Sequence, residues 1–393
     1  MAHVSALAAR PFVPLLTVSL LSGVGYALAF PFMSLFLVKE LGASPFATGA
    51  FLLCGALSSL VVSTLVGRLS DARAVRRNIM IIASIAGGVG YGLFAVIRTY
   101  WLLLLVSVAL LSVASALMPQ LFAYARQVLE RTGSTRASLA ISALRTMMSV
   151  SWVGGPPLAA VLIDISGFTG LYGAAAVICL LGAGVTAFTL TEPGSAEPTE
   201  STTDGTGPRR EIAFAAAAFA LLQGATSVGV VAMPLYITDV LRGSTSDAGL
   251  VLGLCAALEI PLMLAFGALG MRIELRRIVL AGGVVAPAYY GVMLTTSTTW
   301  QVAAAQVLHA TVISAVMGVG ITYFQDIAPD RPGYATTMYT NTMKVSGMLS
   351  GPLLALSAVF GYRSAYAIGL VMSALGLLFL LATRRNERVH QVA

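Results

Sequence analysis

Twelve apolar stretches, each long enough to cross a lipid bilayer, dominate this 393-residue sequence. A transmembrane helix needs about 20 predominantly apolar residues. Only 10% of the residues are charged, whereas a soluble domain carries about 25%. Because a bilayer offers no partner to open backbone, the spans are predicted to be helices of an all-α membrane protein. The predicted spans cover 11–38, 45–67, 78–97, 101–128, 137–163, 168–190, 211–240, 246–269, 276–297, 300–326, 333–360 and 363–383.

The spans divide into two sets of six that resemble each other. Gly67 recurs as Gly267, and Arg76-Arg77 as Arg276-Arg277, each pair after the second span of its half. Between the halves, 191–210 is polar and rich in Thr, Gly, Glu and Pro, so it is predicted to be a disordered linker. The predicted domains are therefore a six-helix bundle over 1–190, the linker 191–210, and a second six-helix bundle over 211–393. Parallel repeats of this kind place a binding site at mid-membrane between halves that rock about it.

Arginine clusters between the spans predict the orientation of the chain. Most of them fall on one side of the membrane, including those at 68–77, at 272–277 and beyond 383. Cytoplasmic loops carry the excess of Lys and Arg, so both termini and the linker are predicted to be cytoplasmic, in a multi-pass protein of the cytoplasmic membrane. The net charge of +7 thus reflects topology and does not indicate a nucleic-acid partner.

Glu259 is the strongest candidate for a functional residue. It lies in the apolar run 253–264, just before Pro261. A charge near the bilayer centre costs at least about 2.5–3.5 kcal/mol, so this carboxyl must face a partner or a water-filled cavity, or carry a proton. We interpret it as the group that carries a coupled proton. The alternative is a permanently paired structural acid, with Lys344 or Arg145 as its partner.

Sequence motifs in both halves resemble those of a known transporter family. The chain resembles the major facilitator superfamily and, more narrowly, its sugar efflux transporter family, whose fold is twelve helices in two six-helix repeats. The resemblance implies proton-driven export of small sugars or glycosides. The motifs are Gly67–Asp71 with Arg76-Arg77, Pro119–Ala123 with Ala125-Arg126, Trp152-Val153, Gly155–Pro157, Leu258–Pro261, Tyr323–Asp326, Ala335–Thr337 and Tyr339–Thr342.

Polar and aromatic side chains near mid-depth of several spans are candidates for binding the solute. Amides both donate and accept hydrogen bonds, as sugar hydroxyls require, and an aromatic face offers an apolar platform for a pyranose ring. The alternative for each is helix–helix hydrogen bonding or packing, which is common in membranes. The candidates are Gln120, Trp152, Gln223, Asn341 and Lys344, then Tyr26, Tyr339 and His309, with Glu259 in the same set.

Charged residues at the cytoplasmic ends of the spans have predicted roles in gating or structure. Asp71 with Arg76 and Arg77 is interpreted as a latch whose charge pairs hold the halves together in one state. Arg126 and Arg145 lie near the inner ends of their spans and can extend to the interface, so they are assigned to structure or gating.

The sequence contains no residue pattern that is typical of an enzyme. It contains no nucleotide-binding Walker loop and no nucleophile constellation, and its three cysteines all fall inside apolar spans. We therefore expect no metal and no cofactor, with the proton as coupling ion, and a chain that works as a monomer. The alternative of the same architecture is a proton-coupled multidrug or toxic-metabolite exporter. A non-transporting membrane receptor is the alternative from a different class.

Overall fold

The apolar spans form helices, as predicted, in the computed structural model, which describes residues 12–73, 75–131, 137–192, 209–329 and 331–383. Eleven helical segments of this part of the chain are long and apolar enough to cross a membrane. The longest, Ala143–Thr189, has 47 residues and contains one non-helical residue, Gly167, at φ 65° and ψ −168°. That break divides it into two spans, which gives the twelve expected.

We number the helices by span. They are α1 (Phe12–Ala29, Met33–Leu35 and Phe36–Glu40), α2 (Pro45–Ala72), α3 (Arg76–Val96), α4 (Tyr100–Val106, Ser107–Leu111, Ser112–Ala114 and Leu117–Arg131), α5 and α6 (Ala137–Thr189, before and after Gly167), α7 (Arg209–Leu235 and Tyr236–Val240), α8 (Thr245–Leu269), α9 (Leu275–Thr295), α10 (Thr299–Ile313, Ser314–Gly318 and Gly320–Ile327), α11 (Pro332–Phe360) and α12 (Ser364–Ala382).

The internal repeat predicted from sequence appears in the backbone. Phe36–Glu40 at the end of α1 and Tyr236–Val240 at the end of α7 are both π-helical. Each is followed by a turn whose second residue is left-handed, Gly42 at φ 62° and Arg242 at φ 60°. The two halves therefore use the same local backbone to end their first helix.

Side-chain contacts repeat in the same way. The hydroxyl of Tyr172 lies 3.5 Å from Sδ of Met33, and that of Tyr366 lies 3.3 Å from Sδ of Met233. Both tyrosines are buried. The packing of α6 on α1 is thus reproduced by α12 on α7.

Two helices, α2 and α8, are divided between the compact units into which the contacts group the chain. The first nine residues of α2 and the first part of α8 each cluster with the other half of the sequence. One unit comprises Met1–Ser44, Cys54–Thr199 and Ser244–Gly253, and the other comprises Pro45–Leu53, Glu200–Gly243 and Leu254–Ala393.

Glycines allow these exchanged segments to pack closely inside their units. A Cβ added to Gly249 of α8 would lie 2.5 Å from the carbonyl oxygen of Pro156 on α5. A Cβ added to Gly49 of α2 would lie 2.9 Å from the carbonyl oxygen of Gly351 on α11. Small residues let helix backbones approach in this way, so the two crossings are equivalent contacts in the two units.

Candidate functional site

Glu259 lies half-buried on α8, one turn after the buried Cys255. Its Oε1 is 3.5 Å from Cys255 Sγ, and the same sulfur is 3.6 Å from Nδ1 of His309 on α10. The helix runs through Pro261 without a break, and the hydroxyl of Ser314 donates to the Glu259 carbonyl at 3.3 Å. A carboxyl, a thiol and an imidazole from two helices therefore form one chain of contacts.

His309 is buried and held on two sides. Its ring stacks on that of Tyr289 with centroids 4.4 Å apart and an interplanar angle of 1°. Its Nδ1 lies 3.2 Å from Oε1 of Gln306, whose Nε2 donates to the Val302 carbonyl at 3.0 Å. Since Gln306 presents an acceptor, this arrangement favours the tautomer with its proton on Nδ1. Nε2 is then an unprotonated nitrogen, buried and without a hydrogen-bond partner in the described part of the chain.

Lys344, one of the two basic residues proposed as a partner, does not pair with Glu259 among the residues that the structure describes. Lys344 and Asn341 on α11 are exposed, as is Arg145 on α5. Two ion pairs of the described residues, Arg98 with Glu40 and Arg277 with Glu274, involve none of these side chains. The carboxyl of Glu259 is thus partnered by a thiol and not by a fixed cation.

Gln223 occupies a buried polar position on α7, with 1% of its surface exposed. Its Oε1 accepts from the hydroxyls of Thr342 at 3.2 Å and Ser346 at 3.5 Å, both on α11. Its Nε2 has no hydrogen-bond partner among the described residues and lies beside a narrow pocket lined also by Thr226 and Met317. This amide holds α7 to α11 with its oxygen and keeps a donor unused.

The first unit presents an aromatic cluster, Tyr26, Phe30 and Trp152. Tyr26 is 43% exposed and stacks on Phe30, with centroids 4.9 Å apart and an interplanar angle of 15°. Trp152 of α5 lies edge-on to both rings, at 6.0 Å from Tyr26 and 6.4 Å from Phe30. Partly exposed rings of this kind can receive the apolar face of a ligand.

Gln120 does not join that cluster. It is buried on α4, where its Nε2 donates to the hydroxyl of Ser70 on α2 at 3.0 Å. Its Oε1 has no partner among the residues described. The contact links α4 to the C-terminal end of α2.

Arg76 and Arg77 are bound within their own unit. A carboxylate, that of Glu192, accepts the backbone N–H groups of both, at 2.8 and 3.0 Å. The guanidinium of Arg77 donates to the carbonyls of Leu190 and Ala187 at 2.7 and 2.6 Å. These bonds join the start of α3 to the end of α6. The side chain of Asp71 lies outside the described residues, so the latch between halves stays a prediction.

The remaining candidates divide between core and surface. Tyr339 is buried among Phe219 and Phe324, and its hydroxyl donates to the Met317 carbonyl at 3.2 Å, so these contacts pack α11 against α7 and α10. Arg126 is exposed at the end of α4.

Sequence reasoning missed three residues that these sites use. Cys255 precedes Glu259 by one helical turn, and Phe30 follows Tyr26 by one turn, so the spacing of neighbours on one helix face was a usable signal. No such signal pointed to Glu192, because it falls in the stretch 191–210 that was predicted to be a disordered linker. The structure describes 191–192 and, from Arg209 onward, the start of α7.

Comparisons with known proteins agree along the whole chain. A family model described as the Major Facilitator Superfamily matches residues 15–220 and 212–392. A "Putative sugar efflux transporter" of Deinococcus radiodurans is 35% identical over 94% of this chain and 97% of its own. "Sugar efflux transporter A" of Dickeya chrysanthemi is 35% identical over 91% and 92%. A crystal structure of the peptide transporter POT, 14% identical, superposes with a TM-score of 0.78 over 94% of this chain and 93% of that one, a likeness of fold alone.

Proposed function

The chain belongs to the Major Facilitator Superfamily and, within it, to the sugar efflux transporter family, and from this membership we propose that it exports small sugars or glycosides in exchange for protons. It is a multi-pass membrane transporter and not an enzyme. The observation that carries the solute class is the 35% identity to a sugar efflux transporter over 94% of the chain. A similarity that spans both halves supports the same overall activity better than a match to one motif would.

Glu259 supports the proton as coupling ion. It is a half-buried carboxyl in an apolar helix, and its side-chain partner is the Cys255 thiol. Moving a carboxyl between apolar surroundings and water changes its affinity for a proton. A transporter whose halves alternate in access would expose Glu259 to each side in turn, so it would take up a proton on one side and release it on the other.

Solute binding is proposed for the side chains that keep an unused polar or aromatic surface. Among the described residues, Gln223 has a donor and Gln120 an acceptor without a partner, and Tyr26, beside Trp152, is 43% exposed. Sugar hydroxyls need both donors and acceptors. Asn341 and Lys344 are exposed on α11 and supply further donors. We further propose that the protein works as a monomer in the cytoplasmic membrane, with both termini in the cytoplasm.

Everted membrane vesicles with an acidic interior test the proposal. If the protein exchanges protons for sugars, adding lactose or a thiogalactoside releases protons, which a quenched pH-sensitive dye reports as recovery of fluorescence. A lipophilic cation is added in a parallel sample. Recovery with the cation alone would assign the protein to drug export instead, and no recovery with any solute would contradict the proposed exchange.

The variant Glu259→Gln tests the coupling group. We expect its proton release to fall at least tenfold, because an amide cannot carry the proton, while sugar exchange without a pH gradient falls far less. Glu211→Gln makes the same chemical change in the first turn of α7 and serves as the matched control. Uphill sugar export that is unchanged in Glu259→Gln would show that another group carries the proton.

A further inference from the structure

Cys255 connects two groups that can each hold a proton and that belong to different helices. Its Sγ lies 3.5 Å from Oε1 of Glu259 and 3.6 Å from Nδ1 of His309, both within the range of hydrogen bonds to sulfur. We propose that His309 and Cys255 form a proton relay that loads Glu259. This inference rests on the proposed exchange of protons for sugar and assigns two further residues to it.

The depth of the three groups in the membrane fits a relay along its normal. With a rise of about 1.5 Å per residue, Cys255 lies ~15 Å beyond Thr245 at the start of α8, and His309 lies ~15 Å beyond Thr299 at the start of α10. Glu259 lies ~6 Å deeper along α8 by the same measure. In the proposed orientation both helices start at the outer surface, so His309 precedes Glu259 on a path from outside to inside.

The hydrogen-bond pattern leaves the relay ready to accept a proton at one end. Gln306 holds a proton on Nδ1 of His309, and Nε2 is buried with no partner among the described residues. A thiol can donate one hydrogen bond and accept another, so Cys255 can donate to the Glu259 carboxylate while its sulfur shares the Nδ1 proton with Oε1 of Gln306. Nδ1 of His309 and Sγ of Cys255 therefore each carry a proton that can be passed on, and Nε2 of His309 is the nitrogen that can accept the incoming one.

The transfer step balances without any other reactant. A proton arrives at Nε2 of His309 and forms an imidazolium. The proton on Nδ1 then passes to Cys255 Sγ as the thiol proton of Cys255 passes to Oε1 of Glu259. The products are a neutral His309 protonated on Nε2, a thiol, and a protonated Glu259, so one proton has moved and no charge remains on the sulfur.

The ionisable groups that lie around His309 belong to α8 and α9. Cys255 and Glu259 face it from α8, and Tyr289 of α9 stacks on its ring, with Tyr290 in contact with Tyr289 at 4.9 Å. Neutral Tyr289 covers one ring face and keeps water from it. A proton would therefore reach the imidazole at its edge, where the buried Nε2 lies.

Purified protein in proteoliposomes tests the relay. Two rates are measured in each sample: proton release on adding sugar, and sugar counterflow without a pH gradient. In Cys255→Ala and His309→Gln we expect the ratio of proton release to counterflow to fall at least tenfold. Cys255→Ser is expected to restore at least half of that ratio, because a hydroxyl also donates and accepts. Cys179→Ala, a thiol of the other unit, is the matched control and keeps the wild-type ratio.

The other outcomes separate the relay from the proposed function. An equal ratio in Cys255→Ala and Cys179→Ala would overturn the relay and leave proton–sugar exchange standing. Equal loss of both rates in Cys255→Ala, without rescue in Cys255→Ser, would show that Cys255 acts by packing and would also overturn it. Absence of sugar-driven proton release in the wild type would instead remove the proposed function on which the relay rests.

Discussion

The carboxylate of Glu192 accepts hydrogen bonds from two successive backbone N–H groups. Arg76 and Arg77 begin α3, where the first N–H groups of a helix lack intrahelical partners. A negative charge at that end also interacts favourably with the helix dipole. One side chain just past the end of α6 therefore stabilises the start of α3.

We predict that Glu192→Ala destabilises the protein by about 1–2 kcal/mol, the usual loss for a helix cap. Glu192→Gln keeps one acceptor without the charge and should cost less. The measurement is thermal unfolding of the purified protein in detergent, followed by tryptophan fluorescence, with Glu211→Ala as control. An unfolding temperature of Glu192→Ala equal to that of the control would contradict this role.

At the residue level, sequence alone could identify Glu259 but not its surroundings. A single carboxyl in an apolar run is expensive wherever the helix lies, so Glu259 stands out as a candidate without a structure. Its contact with Cys255 follows from helical spacing. Its link to His309 depends on how α8 and α10 cross, which no periodicity encodes. Glu192 was missed for the same reason, because its partners are more than a hundred residues away in sequence.

At the level of elements, apolar length predicted the helices and the break at Gly167, which falls between the predicted spans 137–163 and 168–190. The π-helical ends of α1 and α7 occur inside predicted apolar spans and were not predictable. There the sequence has no polar face whose period could report a change of helix type. The repeat of those ends in both halves shows that they are specified features of the fold.

The turn after each π-helical end offers a test of backbone strain. Gly42 at φ 62° and Arg242 at φ 60° hold equivalent positions, and a non-glycine residue there costs about 1–2 kcal/mol. We predict that Gly42→Ala lowers the unfolding temperature by the equivalent of about 1 kcal/mol. Arg242→Gly should raise it by less, because glycine also loosens the unfolded chain.

Gly67→Ala is the matched control for this pair. Gly67 is inside α2, and a Cβ added there meets nothing within 4 Å. Alanine favours helix over glycine by up to about 1 kcal/mol, so this change should be neutral or stabilising. If Gly42→Ala and Gly67→Ala had equal unfolding temperatures, the left-handed backbone at Gly42 would not be a constraint in the membrane-embedded protein.

For the whole molecule, the distribution of arginine predicts which ends of the helices face the cytoplasm. The two ends of α9 give a compact test, since Arg272 and Ser297 are both exposed and flank it. We predict that a membrane-impermeant maleimide labels Ser297→Cys in intact cells and labels Arg272→Cys only after permeabilisation. Wild-type protein, with its three native cysteines, is the blank. The reverse pattern would invert the proposed topology.

The division of α2 and α8 between compact units also governs the order in which the chain can mature during synthesis. Gly49 packs on Gly351, which leaves the ribosome roughly 300 residues later, or ~15–60 s at ~5–20 residues per second. Until then Pro45–Leu53 lacks the unit to which it belongs. A nascent first half is therefore inserted but unfinished, because its unit needs residues up to Gly253, and Pro45–Leu53 waits longer still, for the rest of the second unit.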